Sequence, residues 1–134
     1  MKTILTFGVF DLLHIGHIKL FQRAKQFGDK LVVAIQDDEY VSKYKSNVEC
    51  FYSTEQRAYM VSSIKYVDDI IIYRDVDKDI SKIEFDILAL GEDQNHVGFK
   101  KAIQWCYNNN KEVVILQRTQ GISSSMIKEY TKNN

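Results

Sequence analysis

The sequence predicts a single α/β domain over residues 1–134, a doubly wound sheet of five parallel strands with helices on both faces. Three observations lead there. Short apolar runs recur at residues 2–7, 31–35, 66–73, 87–90 and 113–116. The segments between them place apolar residues at three- and four-residue intervals, the period of an amphipathic helix. A chain of 134 residues buries about two thirds of its unfolded surface, enough for one core without metal or disulfide staples and too little for two.

Each element has its own signal. Residues 2–7 carry Ile4, Leu5 and Phe7 with little alternation, as in a strand covered on both faces, and Gly8 turns the chain. From His17 onward Leu20, Phe21, Ala24 and Phe27 share a helical face, and Gly28 stands where a left-handed cap would close the helix. Residues 31–35 then complete a βαβ unit, whose crossover is right-handed and whose strands are parallel. Residues 37–50 are polar and aperiodic, and read as a loop. Ser53 and Gln56 form a capping box for a helix bearing Tyr59, Met60 and Ile64. A strand at 66–73, a short helix at 77–84, a strand at 87–90, a helix at 97–107, a strand at 113–116 and a last helix at 123–131 continue the alternation, which is that of a Rossmann-like sheet.

Composition removes several classes of function. The 18 basic residues are balanced by 18 acidic ones, so no basic field exists for unspecific binding of nucleic acid or an anionic membrane. No apolar run approaches the ~18–20 residues that span a bilayer, and no secretory leader pattern opens the chain. Cys50 and Cys106 have neither a zinc-pair nor a disulfide-framework spacing. These features lead us to expect a cytoplasmic protein with free thiols and with no nucleic-acid or membrane partner.

Open α/β sheets bind ligands beyond the carboxyl ends of their strands. The loop after the first strand ends in His14-Ile15-Gly16-His17. Two imidazoles three residues apart at a helix entrance can face one side, and Gly16 lets a phosphate approach the backbone. The helix start adds unpaired N–H groups and about half a positive charge. Donors of this kind act most strongly where charge develops during reaction. The competing reading is His14 as a helix cap and His17 as core. A zinc site is disfavoured, since only His96 remains as a further imidazole and no thiol is suitably placed.

The last strand leads into Arg118, Thr119, Gln120, Gly121, Ile122, Ser123, Ser124 and Ser125. Here a guanidinium fork, a permissive turn and several hydroxyls precede another helix, although serines at that place are also ordinary N-caps. Two helix starts on one sheet edge could hold a chain of phosphates, as in a nucleoside triphosphate. Neither GxxxxGK[ST] nor GxGxxG occurs, and no nucleophile elbow is present.

On these residues the chain resembles the cytidylyltransferase branch of the HxGH nucleotidylyltransferase superfamily. His14 to His17 match HxGH, and residues 118–125 resemble its RTxGIS(T/S)(T/S) signature. The stretches FGVFDLLHIGHIKL, GDKLVVAI, YVDDI and LGED are similar to those of glycerol-3-phosphate cytidylyltransferases. Class I aminoacyl-tRNA synthetases share HIGH but are far longer.

The resemblance implies attack of a small phosphorylated alcohol, foremost sn-glycerol 3-phosphate, on the α-phosphorus of CTP with Mg²⁺ on the triphosphate. The products are a CDP-alcohol and pyrophosphate. It implies catalytic roles for His14, His17 and Arg118. Nucleotide binding falls to Val9, Phe10, Gly16, Lys45, Thr119, Gly121, Ile122, Ser123, Ser124 and Ser125. Contact with the acceptor falls to Asp11, Lys43, Arg57 and Lys65, the last replacing a family arginine and so losing its fork; Asp11 could also organise the loop or the metal, or be a plain turn aspartate. Gly91-Glu92-Asp93 resembles the family's GDD segment. A homodimer and a role in teichoic-acid or capsule synthesis are further implications of the resemblance. The alternatives are adenylyl transfer, for example to a sugar phosphate or FMN, and a nucleotide-binding protein without turnover.

Overall fold

The computed structural model describes residues 1–44 and 50–117, with residues 42–44 as backbone only. Strand β1 (Thr3–Gly8), helix α1 (Ile15–Lys25) and strand β2 (Lys30–Gln36) form the first βαβ unit. Helices α2 (Asp38–Tyr44) and α3 (Thr54–Ser62) precede strand β3 (Asp69–Tyr73). Helix α4 (Val76–Asp79) runs into a 3-10 turn at Ile80–Lys82 and strand β4 (Ile87–Gly91). Helix α5 (Val97–Asn108) and strand β5 (Glu112–Leu116) follow. The five strands are parallel in the order β3-β2-β1-β4-β5. The winding therefore reverses between β1 and β4, and that reversal opens a crevice at their carboxyl ends.

Period-two alternation divides the strand residues between two cores. Ile4, Leu31, Val33, Ile35, Ile87 and Ala89 pack with Phe21 and Ala24 of α1 and Val61 of α3. Leu5, Phe7, Val32, Ala34, Leu88 and Leu90 pack on the other face with Val76, Phe99, Ala102 and Cys106. Helices thus cover both faces, as the apolar runs required. Among the described residues no helix is long and apolar enough to cross a membrane.

Three local expectations are corrected. The polar stretch read as a loop contains α2, in which Val41 is the buried anchor among the described side chains and gives no visible period. That helix is started instead by the Asp37 carboxylate on Glu39 N–H (3.0 Å), by Thr54 Oγ1 on Asp38 N–H (3.0 Å) and by acidic residues in its first turn. Gly28 is not a left-handed cap: α1 ends with Gln26 in the right-handed region. Gly28 is required for space, because a Cβ there would lie 2.6 Å from the Lys2 carbonyl. Strand β3 begins at Asp69, later than expected, because a turn closed by Val67 N–H on Ile64 carbonyl (3.0 Å) precedes it. The last expected helix lies outside the described residues.

Asp68 joins three of these elements. Its carboxylate accepts from Leu31 N–H (2.7 Å) and from Lys25 at the end of α1, and its own N–H donates to the Leu31 carbonyl (2.9 Å). The lysine contact, foremost, holds this carboxyl below its ordinary 3.8. A depressed carboxyl stabilises the fold above its unfolded value, and that contribution is lost as pH falls through the folded one. Asp68→Asn keeps an acceptor for Leu31 but no charge for Lys25. It is expected to lose about 1 kcal/mol at pH 7, with the deficit narrowing below about pH 4, in urea unfolding at several pH values. A deficit that does not change with pH would contradict this role.

Candidate active site

The crevice is bounded on one side by the start of α1, and the side chains that start this helix are the two histidines. His14 is the N-cap in extended backbone conformation, and its Nδ1 accepts from Gly16 N–H at 3.0 Å. His17, at the third helical position, returns the contact, with its Nδ1 accepting from His14 N–H at 3.1 Å. The pair forms a capping box built of imidazoles instead of serine and glutamate. A ring nitrogen that accepts carries no proton, so the proton of each neutral ring is on Nε2, across the ring from the helix backbone. The rings stack with centroids 3.9 Å apart.

Burial foremost, and His14 beside it, push the His17 pKa down to about 4 against the opposing charge of Asp93. His17 is therefore neutral at physiological pH. Because the unfolded chain binds a proton at higher pH than the folded one, this group adds stability above about pH 6.5 and loses it as pH falls towards 4. The cap reading of His14 holds, and it leaves the chemical one open to the same ring: capping uses Nδ1 and sets Nε2–H as the donor.

The loop that delivers the histidines is strained. Phe10 (φ 56°) and Leu12 (φ 48°) occupy the left-handed region without being glycine. The Phe10 ring packs edge-on against His17 (5.4 Å) and Phe21 (5.0 Å), and it lies so close over Gly8 that a Cβ there would be 2.5 Å from it. Phe10, expected to line the nucleotide cleft through its backbone, has its side chain buried beneath His17, where it supports that ring. The Val9 carbonyl is turned inward onto Arg57, and the Gly16 amide, expected to meet phosphate, is engaged by the cap.

Arg57 and Asp11 hold the strained loop. Arg57 is fully buried, and its guanidinium donates to the carbonyls of Val9 (2.8 Å), Gln36 (2.8 Å) and Tyr52 (3.2 Å) and to Thr54 Oγ1 (3.2 Å). The Asp11 carboxylate accepts from Phe51 N–H (2.8 Å) and Tyr52 N–H (3.0 Å). Arg57 was expected at the acceptor, and Asp11 either there or as an organiser of the loop. The structure makes them struts between the β1–α1 loop, the end of β2 and the start of α3. Sequence reasoning missed this because an arginine satisfied by main-chain carbonyls needs no acidic partner.

Lys65 is also corrected: it is exposed in the turn before β3, hence at the amino edge of the sheet, opposite the histidines, with its Nζ 5.1 Å from the Tyr66 ring centroid. Lys43 falls in α2, at the carboxyl edge. Lys45, Arg118, Thr119, Gly121, Ile122, Ser123, Ser124 and Ser125 lie outside the described residues. Gln117, the residue before Arg118, is tied to the site helix by Arg23 Nη1 on its carbonyl at 2.8 Å. His96 caps α5 through Nδ1 on Gly98 N–H (3.0 Å), and among the described residues no three metal-ligating side chains converge. Gln94, unremarked in the sequence beyond following Asp93, bridges two strand ends across the crevice.

A family model described as cytidylyltransferase-like matches residues 5–130. The chain belongs to the cytidylyltransferase-like family. One curated relative of this cytidylyltransferase-like chain is a glycerol-3-phosphate cytidylyltransferase of Bacillus subtilis (strain 168), 41% identical over 133 residues and covering 96% of each chain. An FAD synthase of Pyrococcus abyssi is also 41% identical, but over 91 residues, 66% of this chain and 61% of the synthase. Among solved structures, a lipopolysaccharide core biosynthesis protein from Thermoplasma volcanium GSS1 superposes with a TM-score of 0.75 at 27% identity, over 91% of this chain and 99% of that one.

In this cytidylyltransferase-like fold Arg57 should be a determinant of stability. Arg57→Met retains length and removes every N–H, taking this partner from three half-buried carbonyls and leaving them beside an apolar side chain. At about 1–3 kcal/mol for each unmet buried group, urea unfolding should show a loss of about 3 kcal/mol or more. A loss below about 1 kcal/mol would show that the strut is dispensable.

Proposed function

We propose that the chain transfers a cytidylyl group from CTP to a small phosphorylated alcohol, foremost sn-glycerol 3-phosphate, releasing pyrophosphate. The observation that carries this reading is the imidazole pair at the start of α1, held as two Nε2–H donors at the point where the sheet reverses its winding. A phosphate ion of the acceptor is already a nucleophile at neutral pH. The reaction therefore needs no base, only in-line placement and stabilisation of charge on the α-phosphoryl oxygens as pyrophosphate departs. Neutral imidazoles with a fixed donor edge supply that without reorganising, and the helix start adds its dipole.

The second substrate is Mg²⁺·CTP, with the metal carried by phosphate oxygens, and Arg118 with the 119–125 stretch is read as the holder of the β- and γ-phosphates. The base and the acceptor are read from the glycerol-3-phosphate cytidylyltransferase relatives, which match nearly the whole chain. We further read the protein as a cytoplasmic homodimer whose CDP-alcohol product serves the assembly of a polyol-phosphate polymer. The partial match to an FAD synthase favours one second reading, adenylyl transfer.

The decisive assay offers CTP, ATP, GTP and UTP with Mg²⁺ and a panel of phosphorylated polyols, sugars and FMN, and reads pyrophosphate release and product mass. CTP with glycerol 3-phosphate should give the highest kcat/KM, and a preference for ATP with FMN would replace this reading by the second. His17→Ala should lower kcat by a factor of about 100 or more. Loss of the cap contact should cost only about 1 kcal/mol of stability. An active His17→Ala enzyme would remove the imidazole from the chemistry.

A further inference from the structure

Among the described residues, the Gln94 side chain joins the two walls of the crevice. Strand β1 pairs with β2 from Thr3–Lys30 to Gly8–Ile35. Among the described residues it pairs with β4 at Ile4–Ile87 and Leu5–Leu88 alone. Past that point the central strands diverge, and the Phe7 carbonyl on the open side is met by Gln94 Nε2 at 2.6 Å. The Oε1 of the same amide accepts from Gly91 N–H at the end of β4, at 2.9 Å.

Gln94 also closes its own turn, with its N–H on the Gly91 carbonyl at 3.1 Å, and Glu92 N–H within that turn reaches the Leu116 carbonyl at 3.0 Å. One half-buried amide thus ties together the ends of β1 and β4, and its turn carries the tie on to β5. Glutamine suits this position because a single planar group supplies one donor and one acceptor in fixed relation. The same turn carries Asp93, whose charge reaches His17 from the opposite wall.

We propose that Gln94 is a positioning residue for the nucleotide, its amide setting the separation of the β1–α1 and β4–α5 loops between which the nucleotide lies. The proposal rests on the nucleotide-binding reading above and adds a residue to it. Gln94 does not touch the reacting atoms; it fixes the distance between the imidazole wall and the acidic turn facing it. A preorganised wall lowers the cost of ordering the cleft when a ligand binds, so a wall strut of this kind acts on nucleotide affinity first.

Two variants test it. Gln94→Glu keeps an oxygen for Gly91 N–H but turns a carboxylate towards the Phe7 carbonyl. Gln94→Met keeps the length and removes both contacts. Calorimetry with Mg²⁺·CTP should show at least tenfold weaker binding in both. In turnover, KM for CTP should rise at least tenfold, with KM for glycerol 3-phosphate within twofold and kcat within threefold of wild type. CTP binding within twofold of wild type, or equal losses for both substrates, would overturn the role, the latter marking a merely structural residue. Binding needs no turnover, so a wild-type chain that binds CTP without transferring it would fail the proposed reaction and still decide the role of Gln94. A wild-type chain that binds no CTP would overturn both.

Discussion

An α-helix that starts against a sheet leaves N–H groups without internal partners, and in this protein two imidazoles answer that demand at α1. The consequence reaches beyond helix stability. Once Nδ1 of His14 and of His17 must accept from the backbone, the tautomer is no longer open, and the proton is held on the ring edge remote from the helix. Burial of His17 acts in the same direction by disfavouring the imidazolium. A cap that merely ended a chain segment would be satisfied equally well by serine and glutamine, as Ser53 and Gln56 do at α3. Imidazoles add a fixed donor to the cap.

The rest of the carboxyl edge keeps that cap in place. Left-handed Phe10 and Leu12 persist because the surroundings over-determine them, with the Phe10 ring between Gly8 and His17, Asp11 anchored on the 51–52 backbone and Arg57 drawing the Val9 carbonyl inward. Arg57 extends the same support to β2 and α3, so the loop that carries the chemistry is fastened to both neighbouring elements. On the opposite wall Gln94 performs the corresponding task. A rigid sheet edge of this type suits a reaction that depends on placing two phosphates in line.

The sheet was legible because its strands are short and mostly apolar, the central three buried on both faces, and because α1 and α5 show an undisguised apolar stripe. Helix α2 was not, since a cap, the acidic first turn and Val41 sustain it without a period. The place of His14 and His17 at the helix entrance was legible from spacing and position, whereas their tautomer was not, because it depends on which nitrogen meets which amide. Arg57 and Lys65 were misplaced, and Asp11 was left between two readings, for one reason: charge in a sequence suggests a ligand, but only the fold tells whether main-chain groups have already taken it or whether the residue stands at the far edge. Gln94 carried no charge and so gave no signal.

Nitrogen-15 NMR of the histidine side chains at pH 7 tests the cap chemistry most directly. The geometry requires Nδ1 of both His14 and His17 to resonate as an unprotonated acceptor and Nε2 as a protonated donor, with His17 holding that pattern on acidification until about pH 4. A protonated Nδ1 on either ring, or an imidazolium at His17 near pH 6.5, would contradict it.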